Sequence, residues 1–328
     1  MRTSFLHWVA AALLGTALYA PLAMSQGAAQ NYPDRPVRFL VGYSPGGLPD
    51  TVARIVAQKL SEKWKQQVVV ENRPGANSNI AADAVAKAAP DGYTLFVSDN
   101  STVAINPFIY AKMPFDAEKD LIPVAMVARA PLFLAVHSSV PANTFQELVA
   151  LVKSKPGEMT YGSSGIGSTH HLCMEFMKAS LGLQITHVPF KGTGQSVPAL
   201  VGGQVPMLFS AYPSLAAYAK DGRVKILAAN SSKRAVFAQN IPTIAETIPG
   251  FDFAPTVGIF APRGTAKELI NKINADALDA VKQPDTATRM LAVGVDAEAM
   301  TPEEYAASLR ADAERYSRAV KLSGARAD

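Results

Sequence analysis

Short apolar runs closed by Gly, Pro or Asn, each leading into a stretch with helical spacing, recur along this chain. That alternation limits the available folds more than any other feature. Residues 37–42 form one such run, ended by Pro45-Gly46-Gly47. Val52, Ile55, Val56 and Leu60 then follow helical spacing, which predicts a helix to about Trp64. Val68-Val69-Val70 predicts a second strand, closed by Asn72-Arg73-Pro74-Gly75. A helix over 79–88, a turn at Pro90-Asp91-Gly92 and a strand over 93–97 complete the unit. Strand, helix, strand, helix, strand is the pattern of a doubly wound parallel sheet.

The same order returns downstream. Strands are predicted over 132–137, 159–161, 185–188, 205–209 and 225–229. Helices are predicted over 144–154, 169–181 and 194–201. The last part reads as mainly helical, over 265–282, 286–292 and 302–321. No tandem repeat, low-complexity run or heptad pattern interrupts the sequence. The fold class is therefore α/β, with two similar doubly wound modules in one chain.

The amino-terminal segment sets the expected compartment. Arg2 is followed by a mostly apolar stretch over 5–22, then by small residues two apart, Ala23 and Ser25 or Gly27 and Ala29. This is the form of a cleaved secretory signal, residues 1–25, with cleavage within 25–30. The stretch barely reaches the ~18–20 residues of a membrane span, and no later segment reaches it, so the expected product is exported and soluble. The single cysteine, Cys173, rules out an internal disulfide, and none stands at the cleavage site to carry a lipid. Stability must then come from the core. A net charge of +4 without a Lys/Arg run or basic–aromatic stripe argues against nucleic acid and is compatible with an anionic ligand.

Three loops beyond strand ends stand out for chemistry. They are Tyr43-Ser44-Pro45-Gly46-Gly47, Ser98-Asp99-Asn100-Ser101-Thr102, and Gly162-Ser163-Ser164-Gly165-Ile166-Gly167-Ser168-Thr169. Each is rich in Gly, Ser, Thr or Asn, and each opens a predicted helix whose first N–H groups lack partners. Such an arrangement binds carboxylates with backbone donors; ordinary turns and N-caps have the same composition. Asp50 is expected to cap a helix beginning at Thr51, or to contact ligand. His171 falls in a first helical turn, where donation to a carboxylate and a packing role both fit. Cys173 reads as an inert core residue.

Gly42-Tyr43-Ser44-Pro45-Gly46 also fits the nucleophile elbow G-x-S-x-G. The residue after the nucleophile must donate its N–H to the oxyanion hole, and Pro45 has none. The chain is therefore read as no enzyme, with a secreted serine hydrolase using Ser44 as the remote alternative. His170 and His171 are adjacent and diverge by about 100° on a helix. No H-E-x-x-H, cysteine pair or complete G-x-G-x-x-G is present, so no metal or cofactor is expected.

Segments across the expected mature chain carry a family resemblance: YPDRPVRFLV, PGG followed by Asp50 and VARIVAQKLSE, VVVENRPGA, AADAVAKAAPDGYTL, INP, Thr169-His170-His171-Leu172, HVPFKGTG, GGQV and TPEEYAA. Together they resemble the extracytoplasmic solute receptors of tripartite tricarboxylate transporters, the Bug receptors. The resemblance implies a two-lobed periplasmic binding protein fold of the type II kind, each lobe a doubly wound sheet, hinged to close over a small carboxylate. It implies delivery to a permease of one large and one small subunit, a periplasmic location and a monomer.

On this chain the lobes are expected over 30–128 plus 254–328 and over 129–253, with crossings near Val127-Ala128-Arg129 and Phe253-Ala254-Pro255. The implied binding positions are Ser44, Gly46, Gly47, Leu48 and Asp50; Asn100, Ser101 and Thr102; Ser163, Ser164, Gly167, Ser168, Thr169 and His171; Lys191 and Gly192; and Ser210. Ser44 stands where the family often has Pro, and Leu48-Pro49 where it often has hydroxyl residues. Ser210 stands where an Asp is common, which argues against an amino-acid ligand; Leu48 favours an aromatic or longer carboxylate. A dicarboxylate with one carboxylate per lobe fits the two sets of donors. A sensor partner that presents the same ligand to a signalling protein is the alternative to transport.

Overall fold

The computed structural model describes residues 31–327. The expected signal segment lies outside the described residues. The first module runs β1 (Val37–Val41), α1 (Leu48–Trp64), β2 (Val68–Asn72), α2 (Asn79–Ala86) and β3 (Thr94–Asp99), then the single turns α3 (Ser101–Ala104) and α4 (Asn106–Ile109), and β4 (Leu121–Arg129). The second runs β5 (Leu132–His137), α5 (Phe145–Ser154), β6 (Met159–Ser163), α6 (Thr169–Leu181), β7 (Ile185–Pro189), α7 (Thr193–Val201), β8 (Met207–Ala211), α8 (Tyr212–Lys220) and β9 (Val224–Ala229). The chain ends with β10 (Thr256–Pro262), α9 (Lys267–Lys282), α10 (Pro284–Ala292), β11 (Asp296–Met300) and α11 (Pro302–Ser323). Among the described residues no helix is long and apolar enough to cross a membrane.

The strands form a six-stranded sheet ordered β11-β4-β10-β3-β1-β2 and a five-stranded sheet ordered β7-β6-β8-β5-β9. Both are mixed. β1 is parallel to β2 and β3, whereas β10 runs antiparallel to β3 and β4. β6 is parallel to β7 and β8, whereas β5 runs antiparallel to β8 and β9. Alternation assigns the faces: Phe39, Val41, Leu95 and Val97 pack with α1, while Leu40 and Phe96 pack with Ala81, Ala82 and Val85 of α2. Gly258 in β10 is required by packing, because a Cβ there would stand 2.3 Å from the Tyr305 hydroxyl oxygen.

Strands β4, β10 and β11 were not predicted. Pro123 breaks the apolar run of β4, and Gly258 and Pro262 interrupt β10, which is buried throughout and joins β4 with register shifts. β11 is half-buried along its length and has no continuous apolar run. The helix α11 packs Tyr305 and Leu309 with the first sheet, and Tyr316, Ala319 and Val320 with the core of the second. It therefore ties the two cores together.

The chain passes between sheets at two adjacent segments. The Ala130 amide donates to the Pro255 carbonyl at 2.8 Å, beside the pairing of Arg129 with Thr256. Asn230, fully buried, clamps both segments. Its amide donates to Leu132 O and its carbonyl accepts from Phe253 N, each at 2.8 Å. Its side chain accepts from Leu132 N and donates to Phe253 O, again at 2.8 Å each. Every polar group of this residue is therefore paired, as burial demands. Asn230→Ala leaves the side-chain-bonded Leu132 N–H and Phe253 C=O without those partners. The expected loss is roughly 2–4 kcal/mol of unfolding free energy by urea titration; a loss under about 1 kcal/mol would contradict a clamping role.

Candidate ligand-binding site

Each sheet contains a topological switch point. From β1 the chain goes through α1 to β2 on one flank, then through α2 to β3 on the other flank of β1. From β6 it goes through α6 to β7, then through α7 to β8 across β6. In each case the two helices belong to different core clusters, on opposite faces. A crevice opens beyond the carboxyl ends of the strands at such a point, and ligands of open α/β sheets bind there. Ser44, Gly46, Gly47 and Leu48 follow β1, and Asn100, Ser101 and Thr102 follow β3. Ser163 ends β6, Ser164, Gly167 and Ser168 lie in the loop before α6, Thr169 and His171 open α6, and Ser210 is the penultimate residue of β8. Lys191 and Gly192 follow β7, and the Gly192 amide donates to the Ser164 carbonyl at 3.1 Å.

In the first crevice the structure corrects the reading of Asp50. α1 begins at Leu48, with Gly47 at the N-cap and no side-chain cap, because Pro49 fits the first turn. Asp50 lies inside that turn, 2% exposed. Its carboxylate accepts from the Gly46 amide at 2.8 Å, Asn72 Nδ2 at 2.8 Å and Arg54 Nε at 3.1 Å. Burial opposes its ionisation, but the bonds from Arg54, Gly46 and Asn72 outweigh that and hold its pKa below the ordinary value. Asp50 therefore shapes the loop from behind. The Gly46 and Gly47 amides, expected to face an anion, are engaged internally, Gly47 with the Ser44 carbonyl at 3.3 Å. Leu48 is half-buried against the first core. Ser44 is exposed.

The loop after β3 is also internally satisfied. Asn100 is 1% exposed, and its Nδ2 donates to Asp312 at 2.7 Å. Thr102 Oγ1 lies 2.9 Å from Ser98 Oγ, both buried. The following helix, α3, is a single turn and offers little dipole. Two residues not among the candidates join the loops. The Tyr43 hydroxyl donates to Asp99 Oδ1 at 3.1 Å and lies 2.9 Å from Ser101 Oγ. Asp99 also accepts from the Ser101 amide at 3.1 Å and from the Ser101 hydroxyl.

The second crevice rests on stacked rings. Ser168 caps α6, accepting from the His171 amide at 3.3 Å. His171, 4% exposed, accepts from the Gly167 amide through Nδ1 at 3.2 Å, which places its proton on Nε2. Its ring stacks on His187 at 4.1 Å, and His187 stacks on Tyr161 at 4.8 Å. His187 Nε2 lies 2.7 Å from Ser163 Oγ, and His170 Nδ1 lies 2.8 Å from Ser164 Oγ. Burial pushes His187 and His170 down to about 4 and lowers His171 as well. The rings are thus neutral props for the loop. Ser210 is fully buried, and its hydroxyl has no protein partner. The two crevices are linked by packing, since a Cβ at Gly167 would stand 3.3 Å from Ile109 Cδ1 of α4.

Residues 52–324 match the tripartite tricarboxylate transporter family receptor. The chain belongs to this family. Protein BugT of Bordetella pertussis is 32% identical over 300 residues, covering 91% of this chain and 92% of that protein. Among solved structures, Rpa4515 of R. palustris with adipate has a TM-score of 0.77 at 32% identity, covering 90% of this chain and 99% of its own. MatC of Rhodopseudomonas palustris with bound malate has a TM-score of 0.70 at 30% identity, covering 88% and 100%. The fold is accordingly the two-lobed one of periplasmic binding proteins, and the family is one of solute receptors.

In this receptor the exposed or half-buried groups at the two crevices are hydroxyls, backbone, histidine rings, the Asp99 carboxylate and the Lys191 ammonium. No group of metal-binding side chains occurs among the described residues, and no histidine bonds Ser44 there. A cavity of about 990 Å³ lies elsewhere, lined by Phe108, Phe115, Phe260, Leu309 and Glu314 among others. The neutral His187 makes a pH prediction. Its depressed pKa contributes stability that is complete above the unfolded value of ~6.5 and is lost as pH falls towards about 4. The stability advantage of wild type over His187→Gln should therefore shrink across that window in urea titrations. An advantage that grows as pH falls would show that the native ring is protonated.

Proposed function

We propose that this receptor is exported to the periplasm and captures a small carboxylate between its two switch-point crevices. It then delivers the ligand to a membrane permease with one large and one small subunit, acting as a monomer and performing no chemistry. The observation that carries the reading is the similarity over about nine-tenths of the chain to solved receptors holding adipate and malate, both dicarboxylates. The two crevices support a dicarboxylate with one end on each lobe.

Ser44, Ser164, Ser168, Thr169, Lys191 and Gly192 are proposed to reach the ligand, because they are exposed or half-buried at the strand ends. Asp50, Asn100, Thr102, Ser163 and His171 are proposed to position loops, since their polar groups are engaged within the protein. Closure of the lobes is a shift between two states, favoured by the additional hydrogen bonds that form when both lobes hold the ligand.

A thermal-shift and calorimetric panel of mono-, di- and tricarboxylates, aliphatic and aromatic, tests the reading. A true ligand at 100 times its Kd should stabilise the protein by about 2.7 kcal/mol. Absence of any response across the panel would overturn the carboxylate assignment.

A further inference from the structure

We infer that Asp99 sets specificity in this site by accepting a hydrogen bond from a donor, a hydroxyl or an ammonium, carried by the carboxylate ligand. The inference rests on the proposed carboxylate site and narrows its ligand class. Asp99 is the last residue of β3, at the crevice between the carboxyl ends of β3 and β1. It is half-buried, so a ligand in the crevice can reach it while bulk water is restricted.

The hydrogen bonds to Asp99 are lopsided. The Ser101 amide, the Ser101 hydroxyl and the Tyr43 hydroxyl all converge on Oδ1. Oδ2 has no protein partner among the described residues. Tyr43 is fixed as a donor, because burial and then the Asp99 charge push its pKa well above the ordinary value. The three donors hold the carboxylate in one orientation without using its second oxygen.

Asp99 also lacks a cation. Asp50 pairs with Arg54, Asp116 with Lys119, Asp252 with Arg129 and Asp312 with Arg315, whereas no ion pair includes Asp99 among the described residues. Burial raises the Asp99 pKa, and no ion pair opposes that shift among the described residues; once closure excludes water, a ligand donor at Oδ2 would favour the ionised acceptor and offset that cost. An unsubstituted dicarboxylate would instead leave the acceptor unpaired, or bring a like charge to it. In the sequence, the lack of an acid at Ser210 argued against an amino-acid ligand; Asp99, on the first sheet, would supply the acid from the opposite side.

The test is calorimetry with matched series: succinate, malate and aspartate; glutarate, 2-hydroxyglutarate and glutamate; adipate, 2-hydroxyadipate and 2-aminoadipate. In at least one series the wild type should bind a substituted member at least ~10-fold tighter than its unsubstituted parent. A preference confined to the amino members assigns an ammonium, and one shared by the hydroxy members assigns any donor. Asp99→Asn and Asp99→Ser, each checked for folding by its melting transition, should reduce that preference to under about threefold while retaining affinity for the parent. Binding of carboxylates without discrimination, or discrimination unchanged in both Asp99 variants, overturns this inference alone. No binding by any member overturns it together with the carboxylate site.

Discussion

The four hydrogen bonds of Asn230 hold together the two places where the chain leaves one sheet and enters the other. Buried backbone donors and acceptors must be paired, and at these crossings no continuous ladder is available. One asparagine supplies both a backbone and a side-chain partner to Leu132 and to Phe253. That fixes the register of the crossing segments. Around them, Arg129 pairs with Asp252 and Glu298, and α11 spans both cores. The lobes are thus firmly joined at one end and elsewhere meet through contacts such as the Val236 amide donating to the Asp296 carboxylate. A two-lobed receptor needs this combination, because closure must cost little while the closed geometry stays defined.

The loops at the strand ends differ from a simple array of free amides. Asp50 draws in the Gly46 N–H, and Ser168, His171 and His187 hold the third loop from within. Much of the polarity written into these loops therefore shapes them and is not offered to a ligand. In the proposed site the groups that stay available are fewer and already oriented, which would lower the entropy lost on binding. Asp99 shows the same principle from the other side. Its first oxygen is locked by three donors, and its second is left over.

How much of this was legible in the sequence depends on how local the signal was. β1, α1, β2, α2 and β3 showed through because each apolar run or helical spacing sits between clear breakers. β4 and β10 did not, since Pro123, Gly258 and Pro262 are tolerated only by their neighbours in the mixed sheet. The helix start at Leu48 was missed because Pro49 reads as a break when it is in fact a good first-turn residue. The switch-point loops were identified as candidates from composition. Which of their groups are spent internally, and the lack of an ion pair at Asp99 among the described residues, arise only when distant segments meet. His187 was not among the expected site residues for the same reason: its partners Ser163 and His171 are brought to it by strand pairing and stacking.

The central claim is that one carboxylate is held by both crevices at once, and hydrogen–deuterium exchange with and without saturating ligand tests it most directly. Slowed exchange should appear in both 43–48 and 163–171, with little change around the cavity formed by Phe108, Phe115 and Leu309. Protection confined to one crevice, or centred on that cavity, would contradict it.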